Sequence, residues 1–332
     1  MQYNYVFFDN GSIKNCKSDP DNYYYICTED LRRIDGIKVV SYAMDWLPCI
    51  FHKINIFQKV AHLPLKGIWF PFYFKDDFKE RKPYCFIVYG YYVRPAYLRY
   101  LKKKYPDCKI VKIHRDLIGL WRKRNPDYSD DDVKSLFDLT LTYDQSEAEK
   151  YGIPYFSEIE SKISVDRNDL TISSDLFFAG NVKDRLPVLL QVYHQAVQKG
   201  LKCDFYLTGV RSESQVPLEG VTYAKKNMSY RDMLKRTISS KCILEINQGG
   251  AVGYTSRFLE AVMYGKKLLT NNMTIRGTKF FRSDYIQCFE NVNSIDFDFI
   301  NKDVGTIDYG YKNEFSPIHL IEQIEGLLTN GK

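Results

Sequence analysis

The chain has 332 residues, enough for one large domain or for two ordinary domains that each bury a core. Hydrophobic residues make up 45% of it and charged residues 27%, which excludes a disordered chain. The formal net charge of +6 is compatible with a phosphate-bearing ligand or an anionic membrane surface, and it is too small to indicate a nucleic-acid partner by itself.

Six short apolar runs in the first half predict strands. In chain order they are NYVFFD (4–9), NYYYIC (22–27), IKVVSY (37–42), CFIVYG (85–90), KIVKIH (109–114) and DLTLTY (138–143). Helical stretches lie between them, including PAYLRYLKKKYPD (95–107) and SDDDVKSLFD (129–138), which opens with Ser129 as its N-cap. A polar stretch without strong periodicity (158–174) predicts the connection to a second domain.

Strands and helices alternate regularly from about residue 173 onward. The predicted strands are DLFFAG (175–180), CDFYLTG (203–209), CILEIN (242–247) and KKLLTN (266–271). The predicted helices are RLPVLLQVYHQAVQKG (185–200), SYRDMLKRTISS (229–240), TSRFLEAVMYG (255–265) and the amphipathic SPIHLIEQIEGLLTNGK (316–332). Ser229 and Asp232 resemble a capping box at the start of the second of these helices. The alternation predicts a parallel sheet with helices on both faces.

Three loops of the second half follow predicted strands, which is the edge where open parallel sheets bind ligands. In FFAGNVKDR (177–185), Gly180 lets the backbone approach a ligand, while Lys183 and Arg185 supply cations. Gly209 ends the next strand in the same way. Read singly, these glycines are ordinary turn residues and the cations are solvated surface charges; their arrival at one sheet edge favours a shared site.

The third loop, QGGAVG (248–253), leads into a helix whose first turn holds Thr255, Ser256 and Arg257. Backbone N–H groups at a helix N-terminus, together with hydroxyls and a guanidinium, form a site for a diphosphate. Glu260 could accept hydrogen bonds from ribose hydroxyls, or its charge could simply stabilise the N-terminus of its own helix.

Residues 175–275 resemble the donor-binding half of GT-B glycosyltransferases, especially the bacterial enzymes that build capsule or lipopolysaccharide chains. FFAGNVKDR resembles their first donor-side strand and its basic loop. Residues 229–272 resemble their nucleotide-sugar signature, in which a Gly-containing loop leads into an R-x-x-E-A helix and then G-x-x-L-I-T. In the first half, DLTLTYDQSEAEKYGIPYF (138–156) resembles the last strand of the acceptor domain.

The resemblance implies an α/β protein of the GT-B class, with two Rossmann-like βαβ domains facing across a cleft. The predicted domains are 1–172 for the acceptor and 173–312 for the nucleotide-sugar, followed by a helix (313–332) that packs across their junction. It also implies that Glu260 holds the ribose, that the first turn of its helix binds the diphosphate, and that residues 224–230 bind the base. The predicted donor-binding residues are Gly180, Lys183, Arg185, Gly209, Tyr230, Gly253, Tyr254, Thr255, Ser256, Arg257 and Glu260.

One feature departs from the pattern of many retaining GT-B enzymes, which carry two glutamates separated by seven residues in this region. Counting back from Glu260, the other position is Val252, so the pair is incomplete. Retaining and inverting outcomes therefore both stay open.

Neither a metal nor a cofactor is expected, because GT-B enzymes usually neutralise the leaving diphosphate with protein cations and helix dipoles. An inverting mechanism needs a base that deprotonates the acceptor hydroxyl. The candidates at first-half strand ends are Asp9, His114, Asp116 and Asp144. The structural alternatives are that Asp144 caps its helix and that Arg115 or Lys112 pairs with Asp116.

Residues 46–75, from Trp46 to Lys75, contain no Asp or Glu and combine lysines with eight Phe, Tyr and Trp residues. Aromatic and lysine side chains together suit the surface of an anionic membrane, which would place the acceptor domain beside a lipid-linked glycan. The equal alternative is a helical pair that covers the sheet and buries its aromatics in the core.

Eight cysteines are scattered along the chain without a C-x-x-C pair, a pattern typical of buried thiols in a reducing compartment. The first residues, MQYNYVFFDNGS, lack the basic and apolar regions of a signal peptide. We therefore expect a cytoplasmic protein. Contact with a membrane would further place it at the inner face of the plasma membrane.

The combined features predict a glycosyltransferase that moves a sugar from a nucleotide-sugar to a glycan or lipid-linked glycan in bacterial surface polysaccharide biosynthesis. UDP-sugars and GDP-sugars are the donors that we favour. One alternative is a catalytically silent GT-B-like subunit that binds glycan or membrane and supports a partner enzyme. A second alternative is a pyruvyl- or phospho-transferase on the same scaffold. No zinc-finger spacing or RNP-type motif occurs, so a nucleic-acid partner is not expected.

Overall fold

A computed structural model of the chain describes residues 1–9, 23–41, 46–61, 67–89, 93–165, 172–247 and 253–330. The chain divides into two compact units, Met1–Ile163 with Phe315–Lys332, and Ser164–Glu314. Whether residues 172 and 312 are the limits of independently folding domains stays a prediction. Val252, Cys16 and most of the QGGAVG loop lie outside the described residues.

The described part of the first unit contains one parallel sheet of five strands, in the order β2-β1-β3-β4-β5. In chain order the strands are β1 (Asn4–Phe8), β2 (Ile37–Val40), β3 (Tyr84–Val88), β4 (Lys109–His114) and β5 (Leu139–Thr142). Alternate residues of β1 pack on opposite faces: Val6 and Phe8 belong to one core cluster, and Tyr5 and Phe7 to the other. Both faces are thus buried, which explains why these strands read as continuous apolar runs.

Helices cover this sheet. They are, in chain order, α1 (Tyr23–Ile26), α2 (Trp46–Val60), α3 (Pro95–Lys104), α4 (Ile118–Arg124), α5 (Asp130–Leu136) and α6 (Gln145–Tyr151), with short 3₁₀ helices at Glu29–Arg33 and Phe70–Phe72. The predicted cap of α5 is present, because Ser129 Oγ accepts a hydrogen bond from Asp132 N and Asp132 Oδ2 accepts one from Ser129 N.

The prediction of a strand at NYYYIC was wrong, because Tyr23–Ile26 forms α1. Its backbone bonds are local, as the Cys27 N–H donates to Tyr23 O at 2.8 Å. Arg32 stabilises the turn by placing its guanidinium 3.7 Å from the Tyr25 ring centroid and donating to Tyr25 O. A run of six apolar residues is too short for periodicity to separate a strand from a buried helical turn.

The described part of the second unit contains a parallel sheet of six strands, in the order β11-β10-β9-β6-β7-β8. Its strands are β6 (Ser174–Asn181), β7 (Cys203–Thr208), β8 (Val221–Ala224), β9 (Ser240–Glu245), β10 (Lys267–Thr270) and β11 (Ile286–Cys288). Its helices are α7 (Leu186–Gln198), α8 (Tyr230–Ile238), α9 (Ser256–Tyr264) and α10 (Asp298–Asn301), with 3₁₀ helices at Ser212–Ser214, Met273–Gly277 and Val292–Ser294. The four predicted strands are all present, and β8 and β11 extend the sheet at its two edges.

The last helix, α11 (Pro317–Asn330), belongs to the first unit. Its apolar stripe, Leu320, Ile321 and Ile324, is buried against Tyr5 and Phe7 of β1. Packing across the domain junction, as the sequence predicts for this helix, stays a prediction. Within the described residues, no helix is both long and apolar enough to cross a membrane.

The cysteines only partly follow the prediction. Six described cysteines are free thiols, and five of these are buried. Cys49, on α2, is instead disulfide-bonded, so the prediction that all eight are thiols was wrong. A spacing pattern cannot exclude a single bond between cysteines that are distant in the sequence.

Lys112 is buried in the first sheet, with 2% of its surface exposed. Its Nζ lies 3.5 Å from Val88 O and 5.2 Å from the centroid of the Trp121 ring. Burial, assisted by the nearby charge of Arg115, lowers the pKa of Lys112 to about 7. The folded state therefore disfavours the charged ammonium, which costs stability wherever the unfolded chain keeps that charge.

We predict that Lys112→Met raises the free energy of unfolding by about 1–3 kcal/mol at pH 6 to 7. The gain shrinks as pH rises from 7 towards 10, because the folded lysine is then neutral and only the unfolded lysine remains charged. Urea unfolding across this pH range measures the effect. Lys109→Met, in the same strand and partly exposed, is the matched control; a gain that is equal for both or constant with pH would contradict the prediction.

Candidate functional site

The carboxyl ends of the strands in the second unit gather polar residues at one edge of the sheet. Asn181 of β6 lies opposite Thr208 of β7, and Glu245 of β9 lies opposite Thr270 of β10. The three predicted loops, after β6, β7 and β9, leave the sheet at this same edge because all the strands are parallel.

Two guanidinium groups converge on one aromatic ring at this edge. The carbon at the centre of the Arg257 guanidinium lies 4.6 Å from the Phe178 ring centroid, and that of Arg185 lies 5.8 Å from it. Arg257 Nη2 donates to Ala179 O, and Arg185 Nη1 donates to Ile246 O at 2.5 Å. The pKa of Arg185 is lowered by burial and then by the charge of Arg257.

Neither guanidinium forms an ion pair with a carboxylate among the described residues. Both side chains are half-buried, so they remain within reach of a ligand. The hydrogen bonds described above for both guanidiniums go to neutral carbonyl oxygens, and the charges of Glu260 and Glu245 act on Arg257 from beyond ion-pair distance. The two neighbouring cations repel each other, and a bound anion would relieve that repulsion. The arrangement is therefore that of an anion site.

The predicted glycines make this packing feasible. Gly180 has φ +154°, and a Cβ placed there would lie 2.6 Å from Arg257 Nη2. Gly209 has φ +78°, and its Cβ would lie 2.7 Å from Asn181 Nδ2. The sequence predicts that a ligand approaches the backbone at these glycines. In the structure, the side chains of Arg257 and Asn181 occupy that space instead.

Lys183, the first of the two basic residues of the loop after β6, has the left-handed backbone conformation with φ +46°. Its N–H donates to Asn181 Oδ1 at 3.0 Å, which holds the turn, and its side chain is exposed. A non-glycine residue in this region is uncommon, and such strain is concentrated in ligand-binding loops.

The N-terminus of α9 is capped by Thr255, whose Oγ1 accepts a hydrogen bond from the Arg257 N–H at 3.2 Å. Ser256 begins the helix, and its hydroxyl has no partner among the described residues. Before the cap, the Tyr254 ring lies 4.9 Å from the Phe258 ring, and Gly253 O accepts a hydrogen bond from Asn272 Nδ2 at 2.9 Å. The cap thus uses the Arg257 N–H, while the Ser256 N–H begins the helix beside the Arg257 side chain.

Glu260 lies one turn further along α9 and is 1% exposed. Its Oε1 has no hydrogen-bond partner within the described part of the chain. Burial raises the pKa of Glu260, and the charge of Arg257 opposes that shift. An unpartnered buried acceptor is costly unless a ligand supplies a donor, which is compatible with the predicted ribose contact. Tyr230, at the start of α8, is 5% exposed.

Sequence reasoning missed Glu245, Thr270 and Asn272. Glu245 ends β9 with no exposed surface, and it accepts hydrogen bonds from the hydroxyls of Thr255 and Thr270. A carboxylate inside the apolar run CILEIN was the available signal, because a strand buried on both faces rarely carries one without a partner.

The four candidate bases follow or end strands of the first sheet. Asp9 follows β1 and is 3% exposed, with its Oδ2 3.9 Å from Arg32 Nη2. His114 ends β4, 3% exposed, with its ring edge-on to Trp121. Burial, followed by the charges of Lys112 and Arg122, lowers the pKa of His114 to about 2, which makes it a weak base.

The other two candidates are engaged with neighbours. Asp144 Oδ1 accepts from the Glu147 N–H at 2.9 Å, so it caps α6. Asp116 pairs with Arg124 at 2.7 Å, and Arg115 pairs instead with Glu158. The catalytic role of each candidate stays a prediction. Within the described residues, no three His, Cys, Asp or Glu side chains form a group that could hold a metal ion.

No protein-family model matches the chain, and no curated protein matches it either. Several solved structures match it in fold. An alpha-glucosyltransferase in complex with UDP aligns with a TM-score of 0.54 at 11% identity, over 98% of this chain and 99% of that one. The same coverage holds for an alpha-glucosyltransferase bound to UDP and a 13-mer DNA containing an HMU base (TM-score 0.52, 10% identity). It also holds for Anabaena HepE in complex with UDP-glucose (TM-score 0.51, 10% identity).

This chain has the GT-B fold. The likeness extends over nearly the whole chain, so both parallel sheets are included in it. At 10–11% identity it establishes the fold alone, and the chemistry must be argued from the side chains.

We predict that Gly180→Ala lowers the free energy of unfolding by about 1–3 kcal/mol, because the added methyl group displaces the Arg257 guanidinium and strains the backbone. Gly277→Ala, at a glycine of the same unit with nothing within 4 Å of the added Cβ, is the matched control. Urea unfolding of both variants measures the difference, and equal stabilities would contradict the described packing.

Proposed function

We propose that this protein is a glycosyltransferase that takes its sugar from a nucleoside diphosphate sugar. One observation carries the proposal: Arg185 and Arg257 converge on the Phe178 ring without a carboxylate ion pair among the described residues, next to the N-terminus of α9. Two cations and a helix N-terminus match the two charges of a leaving nucleoside diphosphate.

The roles of the residues follow from their chemistry. Arg185, Arg257 and the first-turn N–H groups of α9 would bind the diphosphate and stabilise the charge that develops on it as the glycosidic bond breaks. Glu260 Oε1, buried and unpartnered in the described residues, would accept a hydrogen bond from a ribose hydroxyl. Residues 224–230 would contact the base. Charged groups that are fixed before the reaction reduce the reorganisation that accompanies bond breaking, which is the role proposed for Arg185 and Arg257.

UDP-sugars are the donors that we propose first, and GDP-sugars second. UDP and UDP-glucose occupy the structural neighbours named above, which supports this order. The chemistry inferred for the site requires no metal or cofactor, because protein cations face the diphosphate.

We predict that UDP raises the melting temperature of the protein, in a panel with GDP, CMP and dTDP and their sugars, because a ligand of the folded state stabilises it by mass action. Arg185→Gln should weaken nucleotide binding about tenfold or more, the effect of losing a charge-assisted contact. Lys199→Gln removes one charge from an exposed position at the end of α7 and should bind like the wild type. Well-folded protein that responds to no nucleotide would refute the proposed donor site.

The alternative of a catalytically silent subunit is favoured by the state of the candidate bases. His114 is a weak base, Asp144 caps a helix and Asp116 is paired with Arg124. Nucleotide-sugar binding without transfer to any acceptor, in an assay that also follows hydrolysis of the donor, would identify this alternative.

We propose a glycan or lipid-linked glycan of bacterial surface polysaccharide as the acceptor, and an anionic membrane as the surface where the protein meets it. The resemblance of residues 175–275 to enzymes of capsule and lipopolysaccharide synthesis supports the acceptor class. The DNA in one neighbour's complex belongs to that neighbour, and the modest charge of this chain gives it no comparable support.

The membrane proposal rests on the outer face of α2, which we define as Lys53, Ile56, Phe57 and Val60. Their spacing (i, i+3, i+4, i+7) places them on one stripe, and all four are exposed. Phe57 is 64% exposed and Val60 72%. Exposed apolar groups in one stripe are uncommon on a protein surface without a partner.

Two further apolar side chains are exposed in the turn at residues 67–72, which contacts α2 through Phe51 on another side of the helix. Ile68 is 51% exposed and Phe72 53%. The Phe51 ring stacks on those of Trp69 and Phe72, with centroids 5.1 Å and 4.7 Å away, which fixes the turn against α2. Phe70, Tyr73 and Phe74 are buried, so the aromatic residues of this segment divide between the core and the surface.

The positive charge of this segment favours a bilayer with anionic headgroups as its partner. Residues 46–75 contain no carboxylate side chain, and the exposed Lys53 belongs to the outer face of α2. Apolar groups that enter the interface, together with lysines that face anionic headgroups, are the features of helices that lie in a membrane surface.

We predict that the protein binds vesicles of phosphatidylglycerol and phosphatidylcholine, and binds pure phosphatidylcholine vesicles far more weakly. Phe57→Ser with Val60→Ser should weaken binding about tenfold or more, from the lost apolar burial. Val197→Ser with Val216→Ser, which removes two exposed apolar side chains from the second unit, is the matched control. Co-sedimentation measures binding, and equal binding by both variants would exclude the outer face of α2 as the contact.

A further inference from the structure

Glu245 connects the strands of the second unit to the start of α9. It is the last residue of β9 and has no exposed surface. Its Oε1 accepts a hydrogen bond from the Thr255 hydroxyl, and its Oε2 accepts one from the Thr270 hydroxyl. One carboxylate thus joins the end of β9, the end of β10 and the N-cap of α9.

Each of the two hydroxyls donates one hydrogen bond and accepts another. Thr255 Oγ1 also accepts from the Arg257 N–H at 3.2 Å, and Thr270 Oγ1 accepts from the Asn272 N–H at 2.9 Å. A hydroxyl has one proton to donate, and in both cases that proton goes to Glu245. The Thr255 hydroxyl therefore has no proton left for a ligand.

A second contact restrains the same loop. Asn272 Nδ2 donates to Gly253 O at 2.9 Å, and Asn272 Oδ1 accepts from the Thr274 N–H and hydroxyl. Residues 253–257 are thus attached to the ends of both β9 and β10 immediately before α9 begins.

We propose that Glu245 is the positioning residue of the donor site: it holds the N-terminus of α9 at the sheet edge where Arg257 and the first-turn N–H groups meet a nucleoside diphosphate. The proposal rests on the proposed function for the identity of the ligand. Glu245 contacts the hydroxyls and not the ligand, so its effect on binding is transmitted through Thr255.

The chemistry explains why a carboxylate serves here. An ionised carboxylate only accepts hydrogen bonds, so both hydroxyls must donate to it and a single arrangement results. Burial raises the pKa of Glu245, while the two hydroxyls and the charge of Arg257 oppose that shift. A glutamine of the same shape would have to donate to one hydroxyl, and the proton of that hydroxyl would then lose its acceptor.

The test compares four variants with the wild type. Glu245→Gln and Thr255→Val each break the link, Thr255→Ser keeps the hydroxyl, and the fourth variant combines Glu245→Gln with Thr255→Val. Asp175→Asn, which removes a carboxylate charge near the start of β6, is the matched control. The readouts are the Kd for UDP, the melting temperature, and amide hydrogen exchange of residues 254–259 in protein without nucleotide.

We expect UDP to bind Glu245→Gln and Thr255→Val about tenfold more weakly than wild type. The combined variant should be no weaker than either single one, because both remove the same link. Thr255→Ser and Asp175→Asn should bind like wild type. Amide exchange in the first turn of α9 should be about tenfold faster wherever the link is broken.

The two proposals fail in different ways. If wild type binds UDP and Glu245→Gln binds it equally well, the positioning role is overturned and the proposed function stands. If wild type binds no nucleotide, the proposed function fails together with the ligand named here. In either case, unchanged amide exchange in Glu245→Gln overturns the claim that Glu245 holds α9. Additive losses in the combined variant would overturn it as well.

Discussion

All strand pairs in both described sheets are parallel, and this constraint decides where polar chemistry can collect. Parallel strands release every carboxyl end at the same edge, and each connection must return over a face of the sheet, usually through a helix. In the second unit the edge therefore receives the end of β6, the end of β9 and the N-terminus of α9. Arg185, Glu245 and Arg257 come from distant parts of the sequence and meet because of this topology.

The charges at that edge favour the binding of an anion at the expense of the stability of the ligand-free protein. Two guanidiniums beside one ring repel each other, and the carbonyl oxygens of Ala179 and Ile246 compensate only in part. A carboxylate salt-bridged to either arginine would relieve the repulsion, but it would also neutralise the cation that an incoming phosphate needs. Glu245 and Glu260 lie close enough to stabilise the charge of Arg257, but neither forms an ion pair with it among the described residues, and the oxygens of Glu245 are occupied by hydroxyls.

The regular parts of the fold could be read from the sequence. Four strands and three helices of the second unit follow from apolar runs, caps and glycines, and Ser129 and Ser229 mark real helix starts. NYYYIC was misassigned because a four-residue helix has no periodicity to detect. β8 and β11, at the edges of the sheet, are short and only partly buried, so they lack the strong apolar signal of central strands.

The loops of the candidate site could be predicted from the sequence, but the hydrogen-bond and ion-pair partners of its side chains could not. A glycine, a basic loop and a helix start are local patterns, which is why Gly180, Arg185 and Arg257 could be named from the sequence. The partners of a buried carboxylate are set by the sheet order, which placed Thr270 beside Glu245 across 25 residues of chain. Similarly, Arg124 and not Arg115 pairs with Asp116, a choice that depends on the path of α4.

The return of α11 to the first unit has a consequence for the order of assembly during synthesis. The second unit is one continuous segment, Ser164–Glu314, which is synthesised between the two parts of the first unit. The first unit is discontinuous: Tyr5 and Phe7 of β1 stay without Leu320, Ile321 and Ile324 until α11 has been synthesised. The face of β1 that α11 covers therefore stays without this helix while the whole of the second unit is being translated.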